Sequence, residues 1–92
     1  MVTLQSRPRR RERVLAQRAA ETVVVLDPDS GHYYSLDDVG ALVWELCDGT
    51  RDLGQIAALV CEEYDAALAT AESDVLELAA ELSSVELIDC DA

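Results

Sequence analysis

The chain has 92 residues, half of them hydrophobic, no Phe, and a formal net charge of −12 at pH 7. A domain this small covers only ~60–65% of the surface its unfolded chain exposes, which leaves little room for an enclosed active site. No apolar run approaches the roughly 20 residues of a membrane-spanning helix, and no apolar stretch follows the leading arginines, so the chain reads as soluble, cytoplasmic and independent of membranes.

Charge is unevenly distributed. Residues 1–18 hold six of the seven basic residues, all Arg, beside Glu12, and the remainder carries the acids. Such an acidic body repels phosphate backbones, so its expected partners are peptides and not nucleic acid. Residues 1–10, with Pro8 inside an arginine cluster, read as a flexible basic tail, and residues 11–92 as one domain. "RVLAQRA" then supplies a short strand and "TVVVLD" (Thr22–Asp27) a β-branched, buried one. Pro28, Asp29, Ser30 and Gly31 carry turn chemistry, with Gly31 available for positive φ. "HYYSL" (His32–Leu36) returns as the second arm of a hairpin, with Tyr34 and Leu36 on one face and Tyr33 and Ser35 on the other.

Asp37 is placed to cap a first helix that runs to about Cys47, with Val39, Leu42, Val43 and Leu46 as its core stripe and Gly49 as its C-cap. Trp44 stands at the margin of that stripe, where it either covers the core edge or offers a binding surface. Asp52 and Gln55 form a capping box for a second helix that buries Leu53, Ile56, Val60 and Tyr64. "DAALAT" reads as a connection, and a third helix is expected from Thr70, capped by its hydroxyl, with Val75, Leu78, Ala79, Leu82 and Val85 inward. Beside that stripe runs a second apolar line, Leu76, Ala80, Ser83 and Leu87, which is either a groove wall or part of a wider buried face. Strands followed by three helices make an α+β fold. A small antiparallel sheet joined to two helices across "DGTRD" gives it a winged-helix-like outline.

Chemistry is sparse. No glycine belongs to a phosphate-binding pattern, the serines have only His32 as a base, and carboxylate spacing matches no metal loop. Cys47 and Cys61 read as small buried hydrophobes and Cys90 as an exposed tail thiol. The chain is therefore expected to be no enzyme and to carry no cofactor and no metal.

Four segments, "VVVLD", "GHYYSLDDVGALVWELCDGTRDLGQI", "EEY" and the closing "LI", follow one another between Val23 and Ile88. In order and spacing this run resembles the PqqD-like family, the RiPP recognition elements that bind leader peptides of ribosomally made, modified peptides. Asp37 stands for the usual Asn, Asp52 and Gln55 for Thr and Glu, and Glu86 where Gly commonly ends the last helix. The resemblance implies a three-stranded antiparallel sheet followed by three helices, with the leader added as a strand to the third strand and facing the third helix. It further implies a non-catalytic peptide chaperone that delivers a precursor to a separate enzyme. A lasso-peptide leader peptidase is favoured, and a radical SAM or other modifying enzyme is the alternative.

The peptide-binding residues expected on this basis are His32, Tyr33, Tyr34, Ser35 and Leu36 of the edge strand. From the third helix they are Asp74 and Glu77, to meet a basic leader residue, and Leu76, Ala80 and Ser83, as groove wall. Two competing readings are a winged-helix DNA-binding regulator, opposed by the acidic second and third helices, and a homo-oligomer formed through the sheet edge.

Overall fold

The structure is a computed structural model that describes residues 2–90. In chain order the elements are β1 (Arg9–Arg10), β2 (Leu15–Ala19), β3 (Thr22–Leu26), β4 (Tyr33–Leu36), α1 (Asp38–Leu46), α2 (Leu53–Tyr64), α3 (Leu68–Ser84) and β5 (Ile88–Asp89). The expected α+β architecture is present: β2, β3 and β4 form an antiparallel sheet in that order, followed by three helices, while β1 and β5 make a separate two-stranded pair. Among the described residues, no helix is long and apolar enough to cross a membrane.

The sheet follows from period-two patterning. Val23 and Val25 of β3 face the helices and are buried, and across from them lie Leu36 and Tyr34 of β4. The other face carries Leu15, Gln17, Ala19, Thr22, Val24, Leu26, Tyr33 and Ser35, a surface without a charged residue. The β3–β4 turn closes on Asp27, whose carboxylate accepts from the Asp29 amide at 3.0 Å and whose carbonyl accepts from Gly31 at 2.8 Å. Gly31 takes φ +77°, the region open to glycine. Burial pushes the Asp27 carboxyl up, but the Asp29 amide and the Arg13 guanidinium outweigh it and hold the group below its ordinary value.

Asp37 caps α1 as expected, its carboxylate accepting from the Gly40 amide at 2.8 Å. The buried side of α1 differs from the expected stripe. Gly40, Ala41, Val43 and Trp44 are buried, whereas Val39, Leu42 and Leu46 are only partly so. The helix touches β3, β4 and α2, so its orientation answers to several neighbours and draws Trp44 into the core, 4% exposed. Its last carbonyls turn the chain through Cys47 and not through Gly49. Gly49 instead takes φ +83° in the α1–α2 turn, where an added Cβ would lie 2.8 Å from Arg9 Nε. Burial pushes the Cys47 thiol up to about 12, and its Sγ donates to the Val43 carbonyl at 3.1 Å, the behaviour of an inert core residue.

Both halves of the expected capping box at α2 are made, Gln55 amide to Asp52 and Asp52 amide to Gln55. Tyr64, assigned to the buried side, is exposed. Helix α3 starts at Leu68, ahead of the expected Thr70, and its N-cap Ala67 makes no side-chain hydrogen bond. Asp65, in the left-handed region at φ 51°, reverses the chain so sharply that the alanine-rich stretch after it, a good helix former, is already helical.

Where α3 ends, Glu86 takes φ 62°. Its amide bonds to Ser83 O at 3.1 Å, and that of Leu87 to Leu82 O at 3.0 Å, with Leu82 and Leu87 both buried. This is a Schellman turn with Glu in the glycine position. The left-handed region costs an L-residue about 1–2 kcal/mol, partly offset by glycine's greater freedom when unfolded. Glu86→Gly is therefore expected to stabilise the domain by about 0.5–1 kcal/mol, read as a midpoint shift in urea unfolding at unchanged slope.

Residues 2–10 of the lead-in, expected as part of a flexible tail, lie against the helices and their connections. Leu4, Ser6 and Pro8 carbonyls accept from the amides of Gly54, Leu53 and Gly49, and Ser6 and Pro8 are buried. Arg10 Nη1 donates to Trp44 O at 2.8 Å and Glu45 O at 2.7 Å. Helix α1 has no basic residue in its last turn, so the lead-in supplies the cation that its carbonyl end attracts. Arg7 donates to Thr50 O in the connection between α1 and α2. Arg7 and Arg10 thus tie the lead-in to main-chain carbonyls, which composition alone does not reveal.

Candidate functional site

The hydrogen-bond phase of the sheet decides which groups its β4 edge offers. His32 O accepts from Asp27 N at 2.9 Å, so the Asp27/His32 pair is bonded. Alternation along the antiparallel register then bonds Tyr34 with Val25 and Leu36 with Val23, and turns the N–H and C=O of Tyr33 and Ser35 away from β3. β4 is the last strand on its side of the sheet, so those four groups face an open edge.

Directly beside that edge lies a groove of about 470 Å³ between β4 and α3. Tyr34, Ser35, Leu36 and Asp37 form one side, Val39 and Gly40 the end, and Asp74, Leu78, Glu81 and Leu82 the other side. Leu36, Val39, Leu78 and Leu82 supply its apolar surface. Asp74 and Glu81 are exposed acids on the rim, which Glu77 extends, and no basic residue lines it. An extended chain laid here can bond the edge with its backbone and place every second side chain in the groove.

The structure brings together Tyr34, Ser35, Leu36 and Asp74 of the expected residues, with Glu77 at the rim. Tyr33 contributes only backbone to this edge. Its side chain is 71% exposed on the opposite face, over Leu15, Val24 and Leu26. His32 is exposed and outside the groove lining, and its carbonyl is taken by Asp27. Leu76, Ala80 and Ser83 do not line the groove. At 3.6 residues per turn, Asp74, Leu78 and Glu81 fall on one flank of the buried Val75–Ala79–Leu82 stripe and Leu76, Ala80 and Ser83 on the other. Sequence reasoning does not find Asp37, Val39, Gly40, Leu78, Glu81 and Leu82 as groove residues. The Asp74, Leu78, Glu81 spacing carries the signal, but the helical stripe places Leu78 and Leu82 in the core.

Comparison with known proteins decides the family. The description Coenzyme PQQ synthesis protein D (PqqD) matches residues 22–88. The chain belongs to the PqqD family. It is 39% identical over 89 residues, covering 95% of each chain, to a PqqA binding protein of Xanthomonas axonopodis pv. citri (strain 306). To one of Xanthomonas oryzae pv. oryzae (strain PXO99A) it is 38% identical over 76 residues, 83% of this chain and 80% of that one.

Solved structures at 27% identity share this PqqD-family fold. TbiB1 in complex with the TbiA(beta) leader peptide gives a TM-score of 0.81, covering 91% of this chain and 98% of the other. The PqqD truncation of Methylobacterium extorquens PqqCD, described as a functional and stand-alone RiPP recognition element, gives 0.80 over 97% and 95%.

Proposed function

We propose that this chain is a non-catalytic recognition element that binds the leader of a ribosomally made precursor as a fourth strand on β4 and presents the precursor to a separate enzyme in the cytoplasm. The observation that carries this reading is the open edge at Tyr33 and Ser35 lying against the groove between β4 and α3. Relatives named PqqA binding proteins and a neighbour solved with a leader peptide support it. The leader class has support on two sides. Lasso systems are represented by TbiB1 and by a lasso peptide synthetase B1 complexed with its leader, which matches with a TM-score of 0.78 at 27% identity. PqqA-type precursors are represented by relatives at 39% identity over nearly the whole chain, and we take a PqqA-type leader as the tighter ligand.

The DNA-binding reading is opposed by the net charge of −12 and by the acidic groove rim, and Arg13, Arg18 and Arg51 are paired with carboxylates of the chain itself.

Two substitutions on the two flanks of α3 test the site. Leu78→Ala removes groove wall and is expected to weaken binding of synthetic PqqA and lasso leaders by about 1–2 kcal/mol. Leu76→Ala, on the far flank, should leave affinity unchanged. Calorimetric titrations on folded variants read both, and the reverse pattern would move the site to the other flank.

A further inference from the structure

Helix α3 contains Glu72, Asp74, Glu77 and Glu81 and no basic residue. At 3.6 residues per turn, Asp74, Glu77 and Glu81 fall within about 60° of arc on the flank that faces the groove. Residues three and four apart are neighbours on a helix, so these like charges repel one another along a single line. Glu81 also stands in the last turn, where the helix dipole disfavours an anion. A face serving solubility alone would mix charges of both signs. Elsewhere the chain neutralises several of its acids: Asp27 and Asp29 pair with Arg13, Glu45 with Arg18 and Asp48 with Arg51. Among the described residues, no such pair reaches Asp74, Glu77 or Glu81.

Deeper than these exposed carboxylates lie Leu36, Val39, Leu78 and Leu82, with Leu36 and Leu82 buried. Apolar walls under an acidic rim suit Lys or Arg, whose methylene stem covers apolar surface while its head reaches outward to a carboxylate. The positions along α3 add a spacing. Leu78 lies between the two groove acids, about 6 Å from Asp74 and about 4.5 Å from Glu81 at 1.5 Å per residue. Groove-facing residues of an added strand repeat every ~7 Å. One cation on each side of an apolar residue therefore comes level with Asp74 and with Glu81, and the flexible stems absorb the difference. The arrangement reads the same in both directions of the peptide.

We propose that the groove selects leaders whose segment on β4 reads cation–x–apolar–x–cation. The apolar side chain rests on Leu78, and the two Lys or Arg heads meet Asp74 at one end and Glu81, with Glu77 beside it, at the other. The inference rests on the leader reading at β4 and names the chemistry of the leader. Asp74 and Glu81 act as specificity residues, and Glu81 has no counterpart among the residues expected from the sequence.

Amide-shift titrations of the full chain with terminally blocked peptides TKTLTKT, and the same peptide with norleucine or Glu in place of both Lys, test this. Norleucine keeps the stem and drops the charge. The lysine peptide should bind roughly 5- to 10-fold more tightly than the norleucine peptide at low salt, by a margin that shrinks at high salt, and the Glu peptide most weakly. A chain of net charge −12 attracts any cationic peptide, so the effect has to be localised. Asp74→Asn with Glu81→Gln should abolish most of the lysine preference. Glu62→Gln with Glu63→Gln, equal in net charge and exposed outside the groove lining, should leave it. Asp74→Lys with Glu81→Lys should turn the preference toward the Glu peptide. All four positions are exposed, so the variants should keep the fold.

A lysine peptide that fails to bind up to millimolar concentration overturns the proposal, as does one that binds no better than its norleucine form. A preference that both neutral pairs reduce equally overturns it too, because it then belongs to the overall field. In each of these cases the leader reading still stands if a PqqA-type leader protects the Tyr33 and Ser35 amides. Loss of that protection removes the reading itself and this inference with it.

Discussion

Replacing Trp44 by alanine should lower the stability of the domain by about 3–5 kcal/mol and leave leader affinity of the folded protein unchanged. Large-to-small changes of buried aromatics cost this much because the lost burial is compounded by the cavity left behind. Trp44 is 4% exposed in α1, inside the cluster that includes Val25, Ile56 and Ile88. A domain of 92 residues holds about 5–14 kcal/mol in all, so the melting temperature should drop on the order of 20 °C. The same experiment separates the two roles the sequence left open for this residue. A small drop in melting temperature with a large loss of leader affinity would return Trp44 to the binding surface.

Ser35→Pro should act in the opposite way, abolishing most leader binding in a domain that still folds. The Ser35 amide faces the open edge and not β3, so a proline there removes no bond of the sheet. It does remove a donor for the incoming strand and puts a ring in its path. Leaving the leader's carbonyl unsatisfied costs about 2–3 kcal/mol, roughly 30- to 150-fold in affinity. Ser35→Ala keeps the amide and alters only a side chain on the outer face, and is expected to bind normally. Titration of both variants with one leader, beside their thermal melts, checks the prediction. Equal affinities would separate recognition from this edge.

The features legible in the sequence were those set by a few neighbouring residues. Asp37, the Asp52–Gln55 box and Gly31 behave as read, because caps and turns satisfy backbone groups within three or four residues of themselves. The β2–β3–β4 hairpins follow from alternation that buries one face. What escaped depends on distant partners. The rotation that buries Trp44 is set by packing on the sheet and α2, and the arginine lead-in is ordered by helix carbonyls some 34 residues on, as at Arg10. Helix α3 carries apolar residues on the core side and on both flanks, so its pattern alone could not tell whether Leu76 or Leu78 faced the sheet. The register of β4 and the placement of α3 beside it resolve that choice.

The central claim is that a leader adds to β4 through the outward groups of Tyr33 and Ser35, and residue-resolved amide hydrogen exchange tests it most directly. In the free chain the Tyr34 and Leu36 amides, bonded to β3, should exchange slowly, while those of Tyr33 and Ser35 exchange fast. With a saturating PqqA-type leader, Tyr33 and Ser35 should become protected, and Tyr34 and Leu36 should change little. Saturation of binding with the Tyr33 and Ser35 amides still exchanging as in the free chain would contradict strand addition at this edge.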